Sequence, residues 1–263
     1  MTTVADSTGL AGQVAGQVPG MLRYARTLVR DPQEAEDLVQ DAVVRALEKH
    51  GSFRGEASLG TWLHRILHNL AVDQARQRHE HAVDMSAQDA QWIDLLWRDD
   101  SYTIDAAAVA ERAETRHELR DALLRLPLIY RSAVVLHDSE GLTLPQIAHI
   151  QQIGLPAAKQ RLRRVRMMLV TGLAAQSDPQ AGAEVPMRCW DARRKISDYL
   201  DADLPERDRA LLEQHLAGCP TCPPLYAGLV GLRTALGGHR DPDDVIPAQI
   251  LARILAASNH PGT

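Results

Sequence analysis

The chain has 263 residues, 45% of them apolar, and a formal net charge of −5. That length allows two or three small domains. No run approaches the eighteen apolar residues of a membrane span. No basic start is followed by an apolar stretch of the secretory kind. A cytoplasmic protein is therefore expected.

Abundant Leu, Ala and Arg, a single Phe and long stretches without breakers favour an all-helical fold. The acidic balance is unusual for a free nucleic-acid binder, but the charge is uneven. Five of the eight residues from Lys159 to Arg166 are basic, while 94–105 carries four acids against one Arg. Such a chain suits weak DNA binding alone and tighter binding inside a larger complex.

Residues 1–17, rich in Gly, Ala and Thr, are expected to form a loose leader. A helix follows from Pro19 to Val29, with Met21, Leu22, Ala25 and Leu28 on one face. Asp31-Pro32 marks the next start, with Asp31 as N-cap and Glu34 closing a capping box. That helix runs to Lys49. Its apolar face is Ala35, Leu38, Val39, Ala42, Val43 and Leu47, and its opposite face presents Glu36, Asp37, Gln40 and Asp41. After a loop at Gly51–Gly55, a helix from Ser58 to Arg78 buries Leu59, Leu63, Ile66, Leu67, Leu70 and Ala71.

Arg54, Thr61, Trp62, His64, Arg65, His68 and Asn69 surround that loop–helix junction. Exposed aromatics and amides there can stack on and hold unpaired bases. Trp62 reads equally as a core residue, and Phe53 is expected to pin the loop to the core. In the linker that follows, Trp92, Ile93, Leu95, Leu96 and Trp97 form an apolar cluster. It needs a partner surface, in this chain or another.

Helices are expected at Glu111–Leu124, Leu128–Asp138, Leu144–Gln151 and Pro156–Thr171, with Leu126-Pro127 as a break. The last two, separated by Ile153-Gly154-Leu155, read as helix-turn-helix. Lys159, Gln160, Arg161, Arg163, Arg164 and Arg166 spread around the final helix, and Leu162, Val165 and Leu169 face the core. This fits a major groove, with Gln160 as a base reader; a basic solvated helix is the alternative.

A Gly/Ala/Pro linker, Gln176–Pro186, leads to a third segment. Its helices are expected around Ile196, Tyr199 and Leu200, from Pro205 to Ala217 with Gly218 as C-cap, and from Leu225 to Leu236. A short helix at 247–257 closes the chain.

Cys189, His215, Cys219 and Cys222 are spaced C-x25-H-x3-C-x2-C and use every cysteine in the protein. They make a complete tetrahedral donor set for one zinc ion. All four positions are filled and no general base follows His215, so the zinc is structural rather than catalytic. Oxidation of Cys189 with Cys219 or Cys222 would eject it. Scattered cysteines, or a redox couple without metal, are the alternatives. The cluster points to a reducing compartment.

The text Asp37-Leu-Val-Gln-Asp41, Phe53-Arg-Gly-Glu-Ala-Ser58 and Thr61-Trp-Leu-His-Arg-Ile66, with Asn69 and Asp73, resembles the extracytoplasmic-function sigma factors. Leu126-Pro127, Tyr130-Arg131, Glu140-Gly-Leu-Thr143, Ile147-Ala148, Lys159 and Arg161-Leu162 extend the resemblance, in the family's order, over about 18–80 and 114–170.

The resemblance implies a sigma region 2 at 18–80, a linker at 81–113, a helix-turn-helix region 4 at 114–172 and a flexible linker at 173–186. Glu36, Asp37, Gln40 and Asp41 would grip the clamp of core RNA polymerase. Phe53, Arg54, Ser58, Thr61, Trp62, Arg65 and Asn69 would melt and hold the −10 element of promoter DNA. Region 4, through Lys159, Gln160, Arg161, Arg163, Arg164 and Arg166, would read the −35 element and touch the polymerase flap. Catalysis belongs to the polymerase, so this chain is not an enzyme.

Residues 187–237 resemble the zinc-binding anti-sigma fold, followed by a tail at 238–263. Tethering raises effective concentration to roughly millimolar, so capping of the sigma domains within the chain is one expectation; the alternatives are that the fused domain stabilises the open complex or binds another regulator. A polymerase-independent helix-turn-helix regulator with a zinc or redox sensor is the other reading. One departure from the family is the turn Gln152-Ile153-Gly154-Leu155-Pro156, where members carry Gly-Ile-Pro.

Overall fold

The computed structural model describes residues 4–49, 51, 53, 55, 57–78, 87–174 and 186–238. Arg54 and the expected helix at 247–257 lie outside the described residues. Almost all regular structure described is helical, as the composition predicts. In chain order the helices are α1 (Val4–Leu28), α2 (Pro32–Glu48), α3 (Leu59–Gln77), α4 (Ala87–Arg98), α5 (Ala106–Glu114) and α6 (Arg116–Arg125). Then come α7 (Leu128–Val134), a π-helical turn at Val135–Ser139, α8 (Leu144–Gln151), α9 (Leu155–Leu173), α10 (Cys189–Leu200), α11 (Glu206–Gly218) and α12 (Cys222–Gly238). No described helix is long and apolar enough to cross a membrane. The chain forms two compact units: residues 4–78 with Pro127–Ala158, and 87–126 with 159–238.

In the first unit, α1 begins far earlier than the expected Pro19. Val14 and Val18 are buried along with Met21, Leu22 and Ala25, so the apolar stripe continues back through the expected leader. Asp31 caps α2 by accepting from Gln33 N at 2.9 Å. Glu34 pairs with Arg78 rather than closing a capping box.

Beneath these helices runs a buried polar network. Tyr24 Oη lies 2.7 Å from Ser132 Oγ and 3.1 Å from His68 Nδ1. Gln151 Nε2 donates to Ser132 Oγ at 3.1 Å and to the Ile129 carbonyl at 2.9 Å. Arg131 Nη1 donates to the carbonyls of Thr27 and Leu28 at 3.2 and 3.0 Å, covering the exposed end of α1. Satisfied networks of this kind specify one packing, because each member is costly when unpaired. They join α1, α3, α7 and α8.

In the second unit, the expected helix Glu111–Leu124 is broken. Thr115 takes extended backbone (φ −73°, ψ 102°) and separates α5 from α6. Trp97 and Ile93 are buried within the unit, and Trp97 Nε1 donates to Thr171 Oγ1 at 3.0 Å. The linker cluster thus finds a surface in its own chain, although Trp92 and Leu95 stay exposed. Helix α12 lies close to α5 and to the residues just before it at two glycines. A Cβ on Gly228 would sit 2.7 Å from Ile104 Cδ1, and one on Gly231 would sit 3.2 Å from Ala110 Cβ. Gly218 is not a cap: it ends α11, and Cys219 leaves the helix in extended backbone, φ −88° and ψ 130°.

His64 is buried; its Nδ1 contacts the Gly60 carbonyl at 2.8 Å and its ring packs on Tyr24. Burial holds its pKa below 6.5. Its stabilising effect is full above 6.5 and is lost as pH falls through the lower folded-state value. His64→Phe keeps the ring and removes the titration. The drop in urea midpoint between neutral and mildly acid pH should therefore shrink in the variant. An unchanged drop would show that His64 titrates alike in the folded and unfolded chain.

Candidate metal centre and nucleic-acid interface

The four predicted ligands come together. Ligand atoms of Cys189, His215, Cys219 and Cys222 all lie within 4.8 Å of one another, and all four residues are buried. Three local structures deliver them. Cys189 opens α10, His215 lies in the last turn of α11, and the extended step at Cys219 lets the two-residue knuckle reach Cys222 at the start of α12.

His215 Nδ1 contacts the Met187 carbonyl at 3.0 Å, which fixes the proton there. The other ring nitrogen, Nε2, is buried and has no hydrogen-bond partner. An orphaned imidazole nitrogen facing three sulfurs fits a metal ion. Burial also lowers the His215 pKa, favouring the neutral form that ligates. Burial raises the thiols of Cys189 and Cys222. At Cys219 burial also raises, but bonds from the Thr221 hydroxyl and from the amides of Thr221 and Cys222 outweigh it, and the net shift is downward.

Two groups that sequence reasoning missed support the cluster. Arg193, almost fully buried, places Nε 3.4 Å from Cys222 Sγ. It also donates to the carbonyls of Trp97 (2.8 Å), Asp99 (2.6 Å) and Tyr102 (2.8 Å) and to Thr221 Oγ1 (3.1 Å). The Thr221 hydroxyl lies 3.5 Å from Cys219 Sγ and 3.0 Å from the Asp100 carbonyl. The one available signal was position: Arg193 stands one turn after Cys189, on the face of Ala192 and Ile196.

The basic residues of α9 are largely engaged. Arg166 is almost fully buried and makes a bidentate pair with Asp201, at 2.9 and 3.0 Å, plus a bond to Ser197 Oγ at 2.8 Å. Lys159 pairs with Asp203, and that bond raises its pKa. Arg164 lies 3.2 Å from Asp94, and Arg163 lies 3.9 Å from the same carboxylate. The Arg163 guanidinium also sits 5.6 Å from the centre of the Trp190 ring. Gln160 is exposed and Arg161 half-buried.

On α2, Asp37 and Asp41 are exposed and Gln40 is half-buried, but Glu36 is buried and leaves that face. At the loop–helix junction Trp62 is half-buried, with Phe53 packed on it at 5.3 Å between ring centres. Ser58 caps α3 by accepting from Thr61 N at 3.2 Å. His64 and His68 are buried, so they present nothing to bases. Thr61 is also buried, and its hydroxyl, Arg65 and Asn69 contact side chains of α8 and its C-cap.

Family models match the chain in three places: Sigma-70 region 2 over residues 17–80, Sigma-70 region 4 over 116–169, and a zinc-finger model over 189–222. RNA polymerase sigma-H factor of Pseudomonas aeruginosa is 32% identical over 144 residues, which cover 52% of this chain and 72% of that protein. ECF RNA polymerase sigma factor SigM of Mycobacterium tuberculosis is 31% identical over 150 residues, 56% of this chain and 68% of that one. SigW of Bacillus subtilis is 30% identical over 140 residues, 52% of this chain and 73% of that one. The chain belongs to the extracytoplasmic-function sigma factors and carries a zinc-finger-like region at its C-terminal side. It acts with RNA polymerase in transcription and performs no catalytic step itself.

Changes to groups that only orient metal ligands cost roughly 10–100-fold in affinity. Thr221→Val should weaken metal binding within about that range, while Cys222→Ser, which removes a ligand, should abolish it. Competition titration of zinc against a chromogenic chelator reads both. Equal affinities in all three proteins would remove the cluster as the site.

Proposed function

We propose that this sigma factor is held inactive in cis by its metal-bearing segment, which masks the DNA-reading helix. The observation that carries the reading is the pairing of Lys159 with Asp203, of Arg163 and Arg164 with Asp94, and of Arg166 with Asp201. Lys159, Arg163, Arg164 and Arg166 are the side chains expected at the −35 element, alongside Gln160 and Arg161. Carboxylates occupy them as phosphates would, and Arg166 is too deeply buried to reach DNA in this state.

One structural zinc ion at Cys189, His215, Cys219 and Cys222 would hold α10, α11 and α12 in place for that masking. This protein binds core polymerase through the acidic face of α2, carried by Asp37, Gln40 and Asp41. Phe53, Trp62, Arg65 and Asn69 hold the −10 element, in the cytoplasm where polymerase and promoter meet.

Breaking a buried pair from one side costs about 3–5 kcal/mol, because the remaining charge stays uncompensated. Asp201→Ala leaves Arg166 in that position, so the masking segment should leave α9. Run-off transcription by core polymerase with the full chain carrying Asp201→Ala and Asp203→Ala should rise at least about tenfold, or about 1.4 kcal/mol. A fall instead would make the segment part of the working factor.

The polymerase face has its own test. Asp37→Lys with Asp41→Lys should weaken core binding by about tenfold or more at low salt, with the difference shrinking as salt rises. Unchanged binding would place the contact elsewhere on the chain.

A further inference from the structure

Three contacts in the first unit lie in register. Gln146 Nε2 donates to Thr61 Oγ1, Arg65 Nη1 donates to His149 Nε2, and Gln152 Nε2 donates to Asn69 Oδ1, each at 3.3 Å. Thr61, Arg65 and Asn69 are four residues apart and share one face of α3. Gln146, His149 and Gln152 are three apart on α8 and its C-cap. Gln152 reaches its partner from a left-handed backbone, φ 54°, which costs a non-glycine residue about 1–2 kcal/mol. Gln146 serves twice, because its carbonyl oxygen also accepts from Thr143 N at 2.8 Å.

We infer that α8 masks the −10-reading face of α3, a second lock in addition to the one over α9. This rests on the reading of α3 and the helix-turn-helix as the −10 and −35 readers. Those elements lie about 25 base pairs apart, roughly 85 Å at about 3.4 Å per pair. Duplex DNA has a persistence length of about 150 base pairs, so it does not fold back over that distance cheaply. Helix α8 is joined to α9 by only Gln152–Gly154, which span at most about 11 Å, so it cannot lie far from the −35 reader. Side chains 3.3 Å apart therefore cannot serve both promoter elements at once, and this unit must open before the promoter is engaged.

The lock has further ties away from the DNA-facing residues. Arg23 Nη2 pairs with Glu140 at 3.1 Å, joining α1 to the turn before α8. Ser132, next to Arg131 on α7, meets Tyr24 and His68 in the buried network. Arg23 and Glu140 belong to neither proposed DNA face, so they offer a handle on the lock alone.

A photo-cross-linking residue placed at His149 in the full chain tests the proposal. In the free chain it should cross-link to the α3 peptide holding Arg65. The product should disappear when the same chain, released over α9 by Asp201→Ala and Asp203→Ala, forms an initiation complex with core polymerase and a promoter selected from a random library. Glu140→Arg sets two cations face to face and should lower the free-chain yield at least about fivefold, a shift of about 1 kcal/mol. Arg23→Glu with Glu140→Arg restores the pair and should return the yield to within about twofold of the original. The charge swap also controls for misfolding. No α3 cross-link in the free chain, or a cross-link that persists in a transcribing complex, overturns the lock. No transcript from core polymerase with the chain carrying Asp201→Ala and Asp203→Ala overturns the reading of its DNA-facing residues, and the lock with it.

Discussion

A guanidinium taken out of water must find acceptors to replace its hydration, and Arg166 of α9 finds the carboxylate of Asp201 at the end of α10. The pair is bidentate and almost fully buried, so it fixes distance and direction together. Once Asp201 sits there, α10 runs beside the basic helix. Asp203 then falls next to Lys159, and Trp190, at the other end of α10, falls near Arg163. A second buried guanidinium, Arg193, does the same for the linker by collecting three of its carbonyls. The two arginines hold the metal-bearing segment against α9 on one side and the Trp97–Tyr102 stretch on the other.

The metal cluster and Arg193 are parts of one arrangement. Arg193 touches Cys222 Sγ and Thr221, and Thr221 reaches both Cys219 and the Asp100 carbonyl. Any change in the sulfurs is therefore felt at backbone carbonyls between α4 and α5. Glycines at 228 and 231 let α12 approach Ile104 and α5 closely, and a Cβ at either would require Ile104 or Ala110 to shift. The first unit uses different chemistry for the same end. Hydroxyl, imidazole and amide groups, centred on Ser132, tie four helices together.

Much of the helical plan was legible because its signals are local. Asp31-Pro32, Ser58 and Thr143 mark starts by side-chain capping, and apolar residues at helical spacing mark the faces. Errors arose where a distant partner overrode the local rule. Glu34 left its capping box for Arg78, and α1 extended back through a Gly-rich stretch because Val14 and Val18 found a core. Gly218 was passed over as a cap because the chain must extend at Cys219 to present its sulfur to the cluster. Glu36 matched the acidic face by pattern, yet helix rotation buries it.

The sequence by itself determined the donor set Cys189, His215, Cys219 and Cys222, the basic run on α9 and the helices α3, α8 and α9 that carry the candidate residues. These depend on residue type and spacing within a segment. Only the tertiary structure decided which charges are free. Arg166 and Asp201 are 35 residues apart, and Thr61 and Gln146 are 85 apart. Nothing local links either pair. A basic side chain reads the same in sequence whether water, phosphate or a carboxylate will face it, because its partner is set by burial through space.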